Sequence, residues 1–283
     1  MKTKYFPRKI TRSNEGVAGV LVSVLLVGLM ISAITYLQAV QVPQWMEEKE
    51  AEHMDKVATQ FAEFKYTIDT LSTLEKENSA ISVPITLGSK ELPFLPSERS
   101  YGTLEIKKDD FKIEFTDNNA ETETYQIGAV KYKSDNSYYL NQEITYEAGG
   151  IILNQDEGEI ITVKPSIFFD TPSEITFELV EIEQINGKTH TSGYGTYPIQ
   201  IRYKETETMD IINTKKITIY NTHLEAWKKY FEKLFDGYNN VEPIQYTTNN
   251  DGIIITFKDI AKPPIIQIKL IKMNMQIAPG WIE

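Results

Sequence analysis

The chain begins with a long run of apolar residues that contains no charge. The run extends from Gly16 to Val42 and consists mostly of Val, Leu, Ile, Ala and Gly. As an α-helix it is about 40 Å long, more than the roughly 30 Å of hydrocarbon in a bilayer. The pattern predicts a transmembrane helix over residues 17–42. The alternative is a cleaved secretory signal peptide, which has a shorter apolar region of about 7–15 residues.

A helical pattern of apolar residues continues beyond this run. Apolar side chains recur every three or four positions, and charged residues occupy most of the other positions. The side chains expected to pack are Met54, Val57, Phe61, Phe64, Ile68 and Leu71. The spacing predicts an amphipathic stalk helix over residues 43–78. Its apolar stripe meets either the chain's own body, expected for residues 61–74, or a neighbouring subunit, expected for residues 45–57.

Two residues mark the predicted exit from the membrane. Pro43 lacks a backbone N–H and clashes with the preceding turn, so we expect it to kink or interrupt the helix. Trp45 follows it, and its amphipathic ring suits the level of the lipid headgroups.

From about residue 80 the period of the apolar positions changes from 3.6 to 2. The runs that alternate lie at residues 104–115, 125–129, 175–179, 199–203, 217–219, 253–255 and 266–270. Turn-forming residues separate them, including 117–119, 149–150 and 249–252. Many short strands of this kind predict a β-sandwich or a rolled sheet over residues 79–283. A subdivision near residue 205 is a further expectation.

One short helix is predicted among the strands. Thr222 and Glu225 have the spacing of a capping box, and Trp227 and Phe231 mark the apolar face that follows. The predicted fold class is therefore α+β. A long N-terminal transmembrane and amphipathic helix precedes a mostly antiparallel, β-sandwich-like domain with one short helix.

The distribution of charge predicts the orientation in the membrane. The first 15 residues carry five basic residues and one acidic residue, whereas the rest of the chain carries 24 basic and 39 acidic residues. Basic residues before a membrane helix remain in the cytoplasm. We therefore expect a cytoplasmic N-terminus and an extracellular C-terminal domain. The acidic body repels phosphates, which excludes nucleic acid as a partner.

The sequence offers little catalytic chemistry. The chain has no Cys, which removes disulfides and thiolate chemistry. Glu50 and His53 have the Glu-x-x-His spacing of carboxylate-bridged metal sites, but the second copy that such sites require is missing. We expect no catalytic residue, no metal site and no cofactor, and hence no enzyme.

The start of the apolar run resembles a known processing signal. Glu15, Gly16 and Val17 follow the basic tail and directly precede the apolar helix. This arrangement resembles the class III signal peptide of archaeal type IV pilins and archaellins. The resemblance implies that a prepilin-peptidase-like protease cuts after Gly16, so that residues 1–16 are a cleaved cytoplasmic leader. The fifth mature position is then Leu21, where bacterial pilins usually carry Glu.

A second resemblance covers more of the chain. Val42-Pro43 is followed by Glu50, His53 and Met54, and short motifs lie at residues 83–88, 101–104, 146–150 and 222–231. These features are similar to a group of archaeal pilin-like membrane proteins of unassigned function. The resemblance implies an architecture more firmly than an activity.

Two functions follow as expectations. The first is a pilin-like structural or assembly subunit, anchored in or extracted from the cell membrane, that displays its β-rich domain outside. Its partners are then the lipid bilayer, the processing protease and other pilin-like subunits, and its size favours a minor or tip subunit. The second is a membrane-tethered binding module, a receptor or an adhesin, that does not polymerise.

Overall fold

One continuous helix leads into a body of two β-sheets. The computed structural model describes residues 14–171, 174–184, 187–211, 213–236, 241–258 and 264–279. Helix α1 (Asn14–Tyr36) passes through a π-helical turn (Leu37–Gln41) into α2 (Val42–Leu74). The long apolar helix before a strand-rich domain confirms the predicted fold class.

The strands of the body follow α2 and are interrupted once, by helix α3 (Leu224–Leu234). In chain order they are β1 (Ala80–Thr86), β2 (Tyr101–Asp117), β3 (Thr122–Asp135), β4 (Gln142–Glu147), β5 (Gly150–Gln155), β6 (Gly158–Val163), β7 (Ile167–Thr171), β8 (Glu174–Gln184), β9 (His190–Gly193), β10 (Thr196–Ile211), β11 (Thr214–Tyr220), β12 (Gln245–Tyr246), β13 (Gly252–Thr256) and β14 (Ile265–Ile277).

The two sheets differ in size. The smaller sheet has the order β1-β10-β14-β8-β7, and the larger has the order β12-β13-β11-β2-β3-β4-β5-β6, with β9 also pairing with β2. Strands β8 and β14 run parallel, and the other strand pairs described are antiparallel. The period-2 alternation identified seven of these strands, namely β2, β3, β8, β10, β11, β13 and β14.

A predicted turn explains the register of the β4–β5 hairpin. Ala148 and Gly149 connect the two strands with φ angles of 45° and 77°. Two consecutive positive φ angles give a turn whose twist matches that of the flanking strands. The pairing of Glu147 with Gly150 then fixes the register along the hairpin.

The apolar stripe of α2 packs into the body from Met54 to Leu71, whereas Leu74, at the end of the range expected to meet the body, is 62% exposed. The six stripe residues, Met54, Val57, Phe61, Phe64, Ile68 and Leu71, are each at most 3% exposed. They share one core with residues of both sheets, and the ring of Phe64 lies edge-on to Tyr146 with 5.1 Å between centroids. Met54 and Val57 therefore contact the chain's own body. The expectation that this part of the stripe meets a neighbouring subunit is wrong.

Helix α3 closes a second core, but its start differs from the prediction. The prediction of a capping box at Thr222 and Glu225 is wrong. Helix α3 begins at Leu224, and its N-cap residue, His223, makes no side-chain capping bond. The carboxylate of Glu159 on β6 replaces it. One oxygen accepts from the backbone N–H of Ala226 at 3.0 Å, and the other lies 3.1 Å from Nδ1 of His223. An acidic side chain from a neighbouring strand thus stabilises the helix N-terminus.

The two cores share long strands. Strand β10 runs through residue 205, where the expected subdivision would fall, and pairs with β14 on both sides of a bulge between Tyr203 and Glu205. Tyr203 belongs to the core around α2, whereas Met209 packs against the core around α3. The bulge adds a residue to one strand and bends it without ending the sheet.

Burial of the stripe leads to a stability prediction for the fragment 42–283. Phe64→Asp is expected to lower the free energy of unfolding by more than about 3 kcal/mol, because truncating a buried Phe costs roughly 3–5 kcal/mol and the carboxylate adds a desolvation cost. Tyr66→Asp is the matched control, since Tyr66 lies on the same helix and is 73% exposed. Chemical denaturation measures both. Equal stability of the two variants would show that α2 does not pack on the body.

Candidate functional site

The N-terminal part of the continuous helix extends away from the body. Every residue from Val17 to Leu37 is exposed, although nearly all are apolar. In the described part of the chain this is the one helix that is long and apolar enough to cross a membrane. Such a surface is unfavourable in water on every side of the helix, so the segment is compatible with a single-pass membrane anchor.

The anchor joins the body through the π-helical turn. Pro43 has no N–H to donate to the carbonyl group four residues earlier. The backbone N–H of Val42 bonds to the carbonyl oxygen of Leu37, five residues earlier, which widens the helix just before the proline ring. Pro43 then lies in the first turn of α2, where a missing N–H costs little. The helix is modified here without being broken.

The body reaches down to this junction. Val42 is 2% exposed and Met46 is fully buried, although both lie in the first turns of α2. Trp45, between them in sequence, is 40% exposed. One side of the helix is therefore covered by the body at the residue where the uncharged run ends. Trp45 lies on the other side of the helix, at the same height along the helix axis.

Glu50 fixes one loop of the body to the base of α2. Its carboxylate is fully buried and accepts three backbone hydrogen bonds, from Ser137 at 3.1 Å and from Tyr138 and Tyr139 at 2.7 Å each. These donors lie in the loop between β3 and β4. An ionised acceptor with three N–H partners makes strong, charge-assisted bonds. The carboxylate thus holds the β3–β4 loop close to the membrane junction.

His53, one turn farther along the same face of α2, also binds a backbone group of the body. Its Nε2 lies 3.1 Å from the carbonyl oxygen of Thr86, the last residue of β1. Burial lowers the pKa of His53 to about 4, with a contribution from Lys56, so the ring is neutral near pH 7. The Glu-x-x-His spacing therefore serves two backbone contacts. The described residues contain no group of three or more His, Cys, Asp or Glu arranged to hold a metal ion.

Two loops of the body also expose apolar side chains. Phe94, in the loop that follows β1, is completely exposed and has a φ angle of 66°. Leu140, in the loop held by Glu50, is 55% exposed. Leu140 and Trp45 therefore give the base of α2 two exposed apolar side chains. Exposed apolar and aromatic residues at this level suit a lipid interface.

The predicted processing residues lie at the start of α1. Glu15, Gly16 and Val17 are helical, and Val17 is 72% exposed. The bond between Gly16 and Val17 therefore lies in the first turn of the helix. Residues 1–13, the greater part of the predicted leader, lie outside the described residues.

The role of Glu50 gives a direct prediction. Glu50→Ala leaves three backbone N–H groups without their acceptor, and each unsatisfied group costs about 1–3 kcal/mol. We expect fragment 42–283 to lose at least about 2 kcal/mol of stability, with faster amide exchange at residues 137–139. Glu48→Ala is the control on the exposed face of the same helix. Protected amides at 137–139 in Glu50→Ala would contradict this role.

Comparison with known proteins identifies a family. Residues 16–262 match the profile of a family of unknown function, DUF7289. No curated protein and no solved structure matches the chain. The match covers most of the chain, from the start of the apolar helix to a point beyond β13. The chain belongs to the DUF7289 family.

Proposed function

We propose that this protein is a pilin-like subunit that is anchored by its N-terminal helix and displays its β-rich body outside the cell. The observation that carries the proposal is the division of one continuous helix into two parts. The first part is bare and apolar, and the second is packed between two sheets. This layout suits a subunit whose bare helix first lies in the membrane and then packs among the helices of an assembly.

The orientation rests on charge. The basic tail before α1 favours a cytoplasmic N-terminus, and the acidic body favours the outer side of the membrane. Processing after Gly16 by a prepilin-peptidase-like protease would remove that tail and leave an uncharged, apolar helix end. The body would remain attached to the helix, because α2 belongs to its core.

A membrane-tethered module that does not polymerise is the second candidate. It is favoured by the exposed apolar side chains of Trp45 and Leu140 beside the base of α2. At a bilayer surface these side chains are shielded from water, whereas extraction into a filament removes that shield. The burial of the α2 stripe also supports it, because no apolar seam of α2 remains for a coiled coil.

The processing step gives the first test. Mass spectrometry of the protein from its native membrane is expected to find Val17 as the first residue. Gly16→Val should block the cut, because a branched side chain crowds the position before the scissile bond. Gly19→Val is the matched control, since an added Cβ at Gly19 meets no atom within 4 Å. Recovery of residues 1–16 on the wild-type protein would reject the processing step.

A fractionation experiment separates the two candidates. Native cells are sheared, and the protein is quantified in the pelleted surface fibres and in the membrane. A pilin-like subunit is expected in both fractions, and the Gly16→Val variant in the membrane alone. Wild-type protein found solely in the membrane would reject assembly and favour the tethered module.

A further inference from the structure

Carboxylates from two strands of the larger sheet flank the residue that begins α3. This residue, His223, is 2% exposed. Its Nδ1 lies 3.1 Å from Oε2 of Glu159 on β6, and its Nε2 lies 3.6 Å from Oε1 of Glu143 on β4. One imidazole therefore faces two strands of the sheet at the N-terminus of the helix.

The two ring nitrogens of His223 differ in what they contact. Burial raises the pKa of Glu159, but hydrogen bonds from His223 and Ala226 outweigh it, so the pKa is lowered and the carboxylate is ionised near pH 7. An ionised carboxylate only accepts, so Nδ1 carries a proton. Nε2 is buried without a hydrogen-bond partner among the described residues. A second proton, on Nε2, would face Glu143 and form an ion pair with it.

Glu147 brings a third carboxylate to α3 and is fully buried. Its Oε1 accepts from the indole N–H of Trp227 at 2.7 Å and from the side-chain amide of Asn221 at 2.6 Å. Its Oε2 has no partner within the described part of the chain. Asn221 in turn accepts from the backbone N–H of His223 at 2.8 Å. A buried carboxylate with an unsatisfied oxygen favours a positive charge nearby.

The basic residues around the cluster are already paired. Lys131 on β3 lies close enough to oppose a positive charge on His223, but its ammonium group forms an ion pair with Asp110 on β2. On α3 itself, Glu225 and Lys229 form an exposed pair. The cluster thus sets three carboxylates against one ammonium group that has its own partner. This excess of negative charge favours an added proton.

Proton uptake by the cluster falls in the neutral range. Burial lowers the pKa of His223, but the bond to Glu159 and the charge of Glu147 outweigh it and raise the pKa above its ordinary value of 6.5. Burial raises the pKa of Glu147 to about 7, although the charge of His223 and the bond from Trp227 oppose this. A group whose pKa is raised on folding stabilises the fold below its ordinary pKa, and that contribution is lost as the pH rises through the folded value. Both groups therefore hold α3 more firmly in mild acid than in mild base.

The apolar contacts of α3 do not titrate. Trp227 and Phe231 are buried and stack with 5.7 Å between ring centroids, and Trp227 also lies 5.2 Å from Phe111 of β2. These contacts hold the helix on the sheet at every pH. The polar cluster therefore changes how often α3 opens, while the body stays folded.

We propose that His223 is a proton-operated latch for α3. When the imidazole is protonated, it pairs with Glu143 and Glu159 and holds the helix on β4 and β6. When the imidazole is neutral, the pair with Glu143 is lost and the helix opens more often, which exposes its apolar face. The latch goes beyond the proposed function, since it requires neither processing nor assembly.

The test is amide hydrogen exchange of the full chain in phosphatidylcholine nanodiscs, with rates corrected for the intrinsic effect of pH. Release of one proton changes an equilibrium constant by at most about tenfold per pH unit. The opening of residues 227–234 is expected to increase by about tenfold between pH 6 and pH 8, and that of β3 by less than about threefold. Equal opening of α3 at the two pH values, or more opening at pH 6, would overturn the latch.

His223→Gln identifies the titrating group. The glutamine amide can still donate to Glu159 but carries no titratable proton, so the change should fall to about threefold or less, the part that Glu147 contributes. His190→Gln is the matched control, because His190 is exposed on β9, and it should keep the full change. A full change that survives His223→Gln would overturn the latch, and its loss in Glu147→Gln would assign the proton to that carboxylate instead.

Nuclear magnetic resonance of the histidine rings tests the latch without disturbing His223. The pKa of His53 is about 4, so its ring does not titrate between pH 6 and pH 8, and His190→Gln identifies the signal of His190. The remaining signal, from His223, should have its midpoint above pH 6.5. Glu143→Gln should lower that midpoint, because the protonated ring loses an opposite charge. A midpoint below pH 6.5, or one that Glu143→Gln leaves unchanged, would overturn the proposal.

Discussion

The burial of one face of α2 between two sheets is the interaction on which the rest of this structure depends. Six apolar side chains of the stripe are almost fully removed from water, and each such burial stabilises by roughly 1.5–3 kcal/mol. Both sheets contribute to the same core, so the helix also joins the sheets to each other. Because α2 continues into the bare apolar helix, the anchor and the core are parts of one element.

This arrangement also places the base of the body beside its junction with the apolar helix. Glu50 and His53 each bind backbone groups of a different loop or strand end. Together they hold the membrane-proximal loops around the first turns of α2, where Met46 is buried.

Much of the fold could be predicted from periodicity, because each element buries one face. The change from period 3.6 to period 2 near residue 80 separates stalk from body, and Gly149-Gly150 marks a hairpin turn. The alternation did not identify several strands, among them β1, β4, β5, β6, β7 and β9. In β5, for example, the consecutive apolar residues at 151–153 show no alternation. The cap of α3 was predicted from local spacing, but a carboxylate on β6, 67 positions from its backbone partner, takes that role.

The candidate site was harder to predict, because its contacts also join residues that are distant in the sequence. Glu50 binds backbone N–H groups 87 to 89 positions away, and backbone donors leave no signature in the sequence. The expected interruption at Pro43 takes the form of a π-helical turn. Pro43 lacks a backbone N–H, so the helical turn before it must change. Whether that change is a kink or a π-helical turn depends on how the body packs against this part of the helix.

Amide hydrogen exchange on the full chain in lipid nanodiscs tests the central claim, that the anchor helix is also a core element of the body. Amides in the stripe of α2, from Met54 to Leu71, are expected to exchange as slowly as those of the central strands β3 and β10. The protection should continue without a gap through the π-helical turn into α1. Rapid exchange across α2 while β3 and β10 remain protected would contradict the account, because the body would then be stable without the helix.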